Sequence, residues 1–554
     1  MKRYALPVVL LLAAPPAWAQ VVVPGSLSPQ SRGNTAAPSF NPVTNESLIN
    51  SDAQPQNWLH YSGNYSSQRY TALDLVNAGN ANRLTMQWAF QLRALDRAET
   101  TPLVVDGVMF VTEAPSNVIA LDARTGEQYW RYNYPVGDEL KYCCGRNNRG
   151  VAILGDRLFM STGDAHLIAL DARTGTLLWD AEVAPYELGY SKTAAPLVVG
   201  DKVVTGIAGG EFGIRGFVDA YDVETGERVW RFWTIPGPGE PGNETWAGDS
   251  WMTGGAGTWM TGSYDPELNL VYWGTGNPGP DWNGDVRLGD NLYSSAVVAL
   301  NADTGELVWH FQFTPHDVHD WDATQIPLLA DTDFAGEQRK LMLWPNRNAW
   351  FYVIDRETGR FLLGRPYARQ TWAERLDEDG RPIRIPNTFP TIEGVTVSPS
   401  IGGGSNWWSP SYSPKSDLAY VMAYDGETTF FKREEEYIPG DRFTGGGGQT
   451  PNPQDTYHSA LRAISPQSGE IVWEYPVQPR STAGVLSTAG DVVFSGTVDG
   501  YFFAVNANTG EELWYKNLGA MVHSGPISYM VDGRQYVGVA AGNVYYTFAL
   551  DEER

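Results

Sequence analysis

Cysteine is almost absent from this chain of 554 residues: Cys143 and Cys144 are the only two, and they are adjacent. Two cysteines are too few for a disulfide framework, a cysteine-rich zinc site or an iron–sulfur cluster. Basic residues are also scarce, 39 against 64 acidic ones, which leaves a formal net charge of −25. Because phosphate binding needs concentrated lysine and arginine, we expect no nucleic-acid partner.

Long apolar runs are missing as well. Beyond the N-terminal region, no stretch reaches the roughly 18 apolar residues that a membrane-spanning helix needs, so we expect no membrane span. The chain has instead 59 glycines, 36 prolines and 21 tryptophans, with only 19% charged residues. This composition is typical of many short strands joined by tight turns. It excludes a coiled coil, a collagen-like chain and a charged disordered protein.

The N-terminus has the features of an export signal. Lys2 and Arg3 precede an apolar stretch, and Ala17-Trp18-Ala19 has the small-x-small pattern that signal peptidase recognises. We therefore predict a signal peptide over residues 1–19 and a mature protein in an exported, oxidising space, most simply the bacterial periplasm. Residues 20–55 are rich in proline, serine and asparagine, which predicts a loose leader.

One phrase, Asp/Asn-x-x-Thr/Ser-Gly-x-x-x-Trp, recurs along the rest of the chain with small deviations. Its Asp and Thr side chains can bond the turn backbone, its Gly takes a positive φ, and its Trp can pack on the neighbouring repeat. A unit such as Val151 to Glu182 holds four short strands, the content of one propeller blade. Copies end at Trp130, Trp179, Trp230, Trp309, Trp473 and Trp514, and a copy without the tryptophan ends at Leu363.

These seven copies leave room for one degenerate copy of the repeat, which we place near Asp417–Lys432. Trp88 looks like part of an opening strand before the first clear copy. The repeats therefore predict an all-β fold, an eight-bladed β-propeller with Trp-docking repeats, as a single domain over residues 56–554. Because a propeller is only a scaffold, function must come from residues that interrupt the repeat.

The adjacent Cys143 and Cys144 are the clearest interruption. They are either two buried thiols or, in an oxidising compartment, a bonded pair. A disulfide between these adjacent cysteines would be compact and rigid, which suits stacking against a flat ligand. We favour the functional interpretation.

Oxygen-bearing side chains form a second interruption. Glu211 lies among glycines, Asn277 follows Gly274-Thr275-Gly276, and the stretch 314–322 interleaves aspartates with His316 and His319. Carboxylate and amide oxygens suit a hard cation such as calcium, whereas the histidines alone would suggest zinc. Taken singly, each motif could also be a loop whose aspartates cap turns. The surrounding carboxylates favour an oxygen site.

Together, the Trp-docking repeat, the adjacent cysteines, Gly-Thr-Gly-Asn-Pro and Pro-His-Asp…Trp-Asp resemble the periplasmic quinoprotein alcohol dehydrogenases. That family carries pyrroloquinoline quinone (PQQ) on the axis of an eight-bladed propeller. The resemblance implies that Cys143 and Cys144 form a vicinal disulfide on one face of PQQ and that Trp259 stacks on the other. It places further residues around the cofactor: Glu99, Arg149, Thr193, Arg347, Asn406 and Trp407.

The resemblance also implies one metal ion, a lanthanide or Ca²⁺, bound by Glu211, Asn277, Asp320 and Asp322. Asp322 is similar to the extra aspartate of the lanthanide-dependent branch, and its added negative charge suits a trivalent ion. Asp322 could otherwise only bond the local backbone. We favour the lanthanide, with calcium as the alternative.

The implied activity is oxidation of a small-molecule alcohol to an aldehyde or ketone by hydride transfer to PQQ. Asp320 would take the hydroxyl proton and Arg347 would support the developing negative charge; His316 and His319 are alternative bases that we assign to the loop. The sequence contains no Cys-x-x-Cys-His for a c-type haem, so electrons would pass to a separate, soluble c-type cytochrome. A non-catalytic propeller scaffold and a propeller hydrolase or sugar-binding protein are the rivals, and neither needs Cys143-Cys144.

Overall fold

Short strands make up nearly all of the regular structure. The computed structural model describes residues 37–137, 140–450, 458–478 and 480–551, so the predicted signal peptide lies outside the described residues. One short α-helix, α1 (Asn45–Ile49), begins after Thr44, whose side chain accepts a hydrogen bond from Ser47 N. Single-turn 3₁₀ helices cover Ser51–Ala53, Ala81–Arg83, Tyr186–Leu188, Gly210–Phe212, Asn243–Thr245, Ser250–Thr253 and Gly284–Val286.

The strands are, in chain order, β1 (Tyr70–Thr71), β2 (Leu84–Gln91), β3 (Leu103–Val105), β4 (Val108–Glu113), β5 (Asn117–Asp122), β6 (Gln128–Asn133), β7 (Val151–Leu154), β8 (Arg157–Ser161), β9 (His166–Asp171), β10 (Leu177–Glu182), β11 (Leu197–Val199), β12 (Lys202–Gly206), β13 (Phe217–Asp222), β14 (Arg228–Trp233), β15 (Ser263–Asp265), β16 (Leu270–Gly274), β17 (Ala296–Asn301), β18 (Leu307–Gln312), β19 (Leu328–Phe334), β20 (Glu337–Pro345), β21 (Trp350–Asp355), β22 (Phe361–Pro366), β23 (Ala373–Leu376), β24 (Pro382–Arg384), β25 (Val395–Val397), β26 (Ser411–Ser413), β27 (Leu418–Asp425), β28 (Thr428–Lys432), β29 (Gly446–Gln449), β30 (His458–Ile464), β31 (Ile471–Val477), β32 (Leu486–Thr488), β33 (Val492–Gly496), β34 (Tyr501–Asn506), β35 (Glu512–Asn517), β36 (Ile527–Val531), β37 (Arg534–Ala541) and β38 (Val544–Leu550).

The sheets are the blades of a β-propeller. Within the described ranges, eight sheets have four or five strands. They are β3–β6, β7–β10, β11–β14, β15–β18, β19–β22, β26-β27-β30-β31, β32–β35 joined by β1, and β36–β38 joined by β2. Neighbouring strands within them pair antiparallel, except that β1 runs parallel to β32. Two small sheets, β23-β24 and β25-β28-β29, are built from the segments inserted after β22 and β27.

Most of the repeat tryptophans dock on the turn of the next repeat. The indole Nε1 of Trp130 donates to the carbonyl oxygen of Ala172 at 3.1 Å. Its ring also covers Gly175, which has a φ of +72°, and a Cβ at that glycine would lie 2.7 Å from Trp130 Cε3. Trp88, Trp179, Trp230 and Trp473 repeat this hydrogen bond with Ala123, Val223, Ala302 and Ala507. The tryptophans therefore pack one blade against the next.

The hydrophobic core lies between the sheets. Inner strands such as β4 and β16 are buried along their whole length because neighbouring sheets cover both of their faces. Outer strands such as β10 and β35 are largely exposed. The largest apolar cluster accordingly combines residues of several successive sheets.

The two ends of the chain meet in one sheet. Strand β2, which carries Trp88, pairs antiparallel with β38 over seven residue pairs and supplies the fourth strand of the last sheet. The placement of the degenerate copy of the repeat near Asp417–Lys432 is therefore wrong. Strand β27 belongs to the sheet that ends with Trp473, β28 lies in a small separate sheet, and the eighth large sheet is the one that joins the two ends.

Part of the predicted loose leader is ordered against the propeller. From residue 37 onwards the segment is described, and Phe40, Val43 and Leu48 are 6%, 4% and 1% exposed and pack in the largest apolar cluster. The expectation of a loose leader is therefore wrong for residues 37–55. In the part of the chain that the structure describes, no helix has the length and apolar character needed to cross a membrane.

Candidate functional site

All of the predicted site residues lie on loops at one end of the propeller. In an antiparallel four-stranded blade, the loop from the second to the third strand and the connection from the fourth strand to the next blade lie at the same end. Glu211, Asn277 and Arg347 lie on second-to-third loops, after β12, β16 and β20. Cys143, Cys144, Arg149, Thr193, Trp259, Asp320 and Asp322 lie on connections between blades. The docking turns lie at the opposite end.

These loops enclose a cavity of about 220 Å³. All but two of the predicted site residues line it: Cys143, Cys144, Arg149, Thr193, Glu211, Trp259, Asp320, Asp322, Arg347, Asn406 and Trp407. Glu99 and Asn277 lie behind this lining and contact it through hydrogen bonds and ion pairs. The structure thus brings the whole predicted set together.

Cys143 and Cys144 form a disulfide bond at the cavity wall. The bond leaves the sulfurs without protons, and Glu211 Oε1 lies 2.7 Å from Cys143 Sγ. The loop that carries Glu211 packs closely on the neighbouring connection: Gly209 has a φ of +118°, and a Cβ there would lie 2.2 Å from the Gly189 carbonyl oxygen. Phe443 also supports this loop, since its backbone N–H donates to the Glu211 carbonyl oxygen at 2.7 Å.

Four acidic side chains form a carboxylate cluster beside the disulfide: Glu211, Asp281, Asp320 and Asp322. Burial raises the pKa of each carboxyl above its ordinary value. The negative charges of the neighbouring members raise the pKa of Glu211, Asp281 and Asp320 further. Asp281 is the member that the sequence motifs did not identify; its position four residues after Asn277 is the only signal that could have suggested it.

Arg347 is the cation in contact with this cluster. Its Nη1 donates to Asp322 Oδ2 at 2.6 Å, and its Nη2 lies 3.5 Å from Asp320 Oδ1. Its Nε and Nη2 also donate to the Ile401 carbonyl oxygen, at 3.0 and 2.6 Å. The guanidinium is therefore held in one orientation between the two aspartates.

Asp322 and Asn277 are linked behind the cavity wall. Asp322 Oδ1 accepts from the backbone N–H of Asn277 at 2.8 Å, and Oδ2 accepts from Trp259 Nε1 at 3.3 Å as well as from Arg347. The Asn277 side chain in turn donates from Nδ2 to Asp281 Oδ1 at 2.8 Å. Asp322 thus bonds the backbone of a different loop, 45 residues earlier in the chain, and also lies within the carboxylate cluster.

At another part of the cavity, Arg149 is surrounded by acceptors and aromatic rings. Its Nη2 lies 2.7 Å from Glu99 Oε2, and its Nη1 donates to Thr193 Oγ1 at 2.7 Å. Its guanidinium carbon lies 5.3 Å from the Trp259 ring centroid and 5.1 Å from that of Trp407. A fixed positive charge between two indoles is suited to a flat, anionic ligand.

The two histidines that were alternative bases lie outside the cavity lining. His319 stacks on Trp321 at a ring-centroid distance of 4.2 Å, and its Nε2 bonds the Thr388 carbonyl oxygen at 2.8 Å. Burial lowers the pKa of His319 to about 3 and that of His316 to about 4. Both are neutral near pH 7 and directed at backbone, which agrees with their assignment to the loop.

The cluster fits a hard cation. The four carboxyl groups interact electrostatically, Arg347 contacts two of them, and among the described residues Asp281 Oδ2 is buried without a hydrogen-bond partner. The donors are carboxylate and amide oxygens, the ligand types that calcium and other hard cations prefer. A bound cation would remove the mutual repulsion that raises the pKa values.

Comparisons with known proteins show the family of the chain. The family model for the PQQ glucose/ethanol/alcohol dehydrogenase β-propeller domain matches residues 58–365 and 470–537. The chain is 39% identical to the quinoprotein alcohol dehydrogenase PedH of Pseudomonas putida, over 90% of this chain and 88% of that protein. It is 36% identical to the lanthanide-dependent methanol dehydrogenase of Methylacidiphilum fumariolicum, over 90% and 86%.

A solved structure agrees as well. The europium-containing methanol dehydrogenase superposes with a TM-score of 0.87 at 33% identity and covers 91% of this chain and 100% of that one. The family model matches more than half of the chain, and the relatives exceed 30% identity over most of their length. The family resemblance predicted from the sequence motifs is therefore confirmed, and the chain belongs to the PQQ glucose/ethanol/alcohol dehydrogenase β-propeller family.

Proposed function

We propose that this protein oxidises a small-molecule alcohol to an aldehyde or ketone with PQQ and one metal ion, and passes the electrons to a separate cytochrome c. The observation that carries the proposal is the composition of one cavity, which combines the Cys143–Cys144 disulfide, Trp259, the carboxylate cluster and Arg347. The family to which the chain belongs supports the same cofactor. When bound, PQQ supplies a hydride acceptor, and the metal ion supplies a Lewis acid.

Arg149, Thr193 and Trp259 would bind the cofactor. Arg149 has the fixed charge for a cofactor carboxylate, Thr193 orients that arginine, and the Trp259 indole offers a face for a planar ring. Glu99 sets the arginine position through its 2.7 Å ion pair. Asn406 and Trp407 complete the wall, and the Asn406 side chain is itself held by a 3.1 Å bond to the Gly402 carbonyl oxygen.

Asp320 would act as the general base. It lines the cavity, and burial together with three neighbouring carboxylates raises the pKa of its carboxyl well above the ordinary value. A raised pKa makes an aspartate a better proton acceptor, provided that the site keeps it ionised. Arg347, 3.5 Å from Asp320 Oδ1, favours the ionised form and can stabilise negative charge that develops beside it.

We further propose that the metal ion is a lanthanide, bound by Glu211, Asn277, Asp320 and Asp322. Asp322 adds a carboxylate to the other proposed ligands, and the added negative charge favours a trivalent over a divalent ion. The similarity to a lanthanide-dependent methanol dehydrogenase supports this choice. Calcium is the alternative outcome of the test.

The test is dye-coupled alcohol oxidation by metal-free apoprotein, with PQQ added together with calcium or a light lanthanide. We expect turnover only with PQQ and lanthanide, and loss of turnover or a shift to calcium in Asp322→Ala. Asp320→Asn is the matched control that should lose turnover with either metal. Calcium-supported activity that survives Asp322→Ala would contradict the lanthanide assignment, and no turnover with any metal or alcohol would favour a scaffold.

The electron acceptor and the compartment are part of the proposal. The sequence has no Cys-x-x-Cys-His, and the net charge of −25 would attract a basic soluble cytochrome through long-range steering. The signal over residues 1–19 would export the chain to the periplasm. Stopped-flow reoxidation by a basic cytochrome c should slow as ionic strength rises. A rate that does not depend on salt would contradict steering.

A further inference from the structure

Asp281 is the one member of the carboxylate cluster without a role in the proposed reaction. It follows β16 in the loop that carries Asn277, and its side chain is buried, with 1% of the residue exposed. Its Oδ1 accepts from Asn277 Nδ2 at 2.8 Å, whereas its Oδ2 has no hydrogen-bond partner among the described residues. A buried carboxylate with one free oxygen is costly and needs a reason.

The hydrogen bond between Asp281 and Asn277 determines which end of the Asn277 side-chain amide points away from Asp281. In the structure the NH₂ end of the Asn277 amide faces Asp281, and an Asp281 that is ionised beside a bound cation can only accept hydrogen bonds, which keeps the NH₂ end on this side. The carbonyl oxygen of Pro278, 3.4 Å from the same Nδ2, is a second acceptor at this end. Rotating the amide by half a turn would direct its oxygen at two acceptors. The amide oxygen, the only atom of this side chain that can bind a hard cation, is therefore left for the ion.

The loop holds Asp281 rigidly in this position. The buried Arg287 guanidinium donates to the carbonyl oxygens of Pro280 at 3.1 Å, Asp281 at 3.3 Å and Asp317 at 2.6 Å. It therefore ties the segment around Asp281 to the loop that leads to Asp320. Asn277 is held at both ends, its backbone N–H by Asp322 and its side chain by Asp281.

We propose that Asp281 is a positioning residue, which fixes the Asn277 amide so that its oxygen is presented to the metal ion. The inference deepens the proposed function and rests on it, because it needs an ion at the carboxylate cluster. Groups that orient a metal ligand through a hydrogen bond typically change metal affinity about 10- to 100-fold when they are removed. We expect a loss of this size in Asp281→Ala.

The experiment is calorimetric titration of lanthanum into metal-free, PQQ-loaded mature protein. Asp281→Ala removes the charge and the hydrogen bond, whereas Asp281→Asn removes the charge but keeps an oxygen that accepts from Asn277. We expect Asp281→Ala to bind lanthanum at least about tenfold more weakly than Asp281→Asn. The unfolding midpoint of each metal-free variant checks that it folds.

A double-mutant cycle tests whether Asp281 acts through Asn277. In an Asn277→Ala background, the Asp281→Ala and Asp281→Asn variants should bind lanthanum with the same affinity. Equal losses in the two Asp281 variants would instead mean that Asp281 acts by charge or as a direct ligand, and unchanged affinity in both would mean that it does not act on the ion; either result overturns the inference. If the wild-type protein bound no lanthanum, the lanthanide assignment would fail, and the same titration with calcium would test the inference; if it bound neither ion, the proposed function would fail.

Discussion

The docking of Trp130 on Gly175 allows a direct measurement of what joins two blades. Gly175 has a φ of +72°, and an alanine Cβ would lie 2.7 Å from Trp130 Cε3 and 3.0 Å from Cδ2. Gly200 has a similar φ of +62°, but no heavy atom lies within 4 Å of the Cβ position. Gly175→Ala therefore adds backbone strain and a collision, whereas Gly200→Ala adds backbone strain alone.

The magnitudes differ enough to be measured. A left-handed conformation costs an L-residue about 1–2 kcal/mol at either position. At Gly175 the indole must also move, at about 1–3 kcal/mol for overpacking. The 3.1 Å bond from Trp130 Nε1 to the Ala172 carbonyl oxygen would weaken or break, a further loss of about 1 kcal/mol. We expect Gly175→Ala to lower the free energy of unfolding by about 2–4 kcal/mol more than Gly200→Ala does.

Guanidinium chloride unfolding followed by tryptophan fluorescence measures the difference. The midpoint of Gly175→Ala should lie below that of Gly200→Ala with a similar slope, because the surface exposed on unfolding is the same. Equal midpoints for the two variants would refute the reasoning, since they would mean that the tryptophan–glycine contact adds nothing beyond the cost of a positive φ.

Three further predictions concern the site. Arg149→Lys should weaken PQQ binding about ten- to hundredfold, because a lysine lacks the planar guanidinium whose two Nη groups bond Glu99 and Thr193 in fixed directions. A fluorescence titration of the apoprotein with PQQ would measure this, and unchanged affinity would contradict it. Metal affinity should rise with pH, because protons bound to the carboxylate cluster compete with the metal ion. The pKa values of the cluster are raised, so protons stabilise the metal-free fold at low pH, and this stability is lost as pH rises through the raised pKa values. Equal metal affinities at about pH 5 and about pH 8 would exclude competition between protons and the ion. His316→Ala should leave turnover unchanged, whereas Asp320→Asn should lower it about 10²- to 10⁴-fold. Steady-state rates measure both variants, and a large loss in His316→Ala with none in Asp320→Asn would mean that the histidine is the base.

The repeat could be predicted because its information is local. Asp122, Thr125 and Gly126 form one turn, in which the Asp122 carboxylate accepts from the backbone N–H groups of Arg124 and Thr125 at 2.9 Å. The eighth sheet could not be located in this way. It joins β2 to strands more than 400 residues later in the chain, and no local pattern reports such pairing. For the same reason the burial of Phe40 against the first sheets was not expected.

The site residues that belong to recognisable sequence motifs were predicted from the sequence. The predicted residues lie around one cavity, but their individual roles stay predictions until cofactor and metal binding are measured. Asp281 was missed because a single aspartate after a proline has no distinctive spacing. Its importance depends on burial and on the Asn277 side chain beside it, and both are properties of the folded loop.

The strand-and-turn repeat, the docking tryptophans and the types of chemical group available for a site can all be read from short stretches of sequence, because turn geometry and side-chain chemistry act over a few residues. The tertiary structure decided which sheet joins the two chain ends, which loops share one end of the propeller and which carboxylates lie together. Those outcomes depend on contacts between residues far apart in sequence, such as Glu211 with Cys143 and Arg347 with Asp322. Such contacts form only when the blades pack against one another.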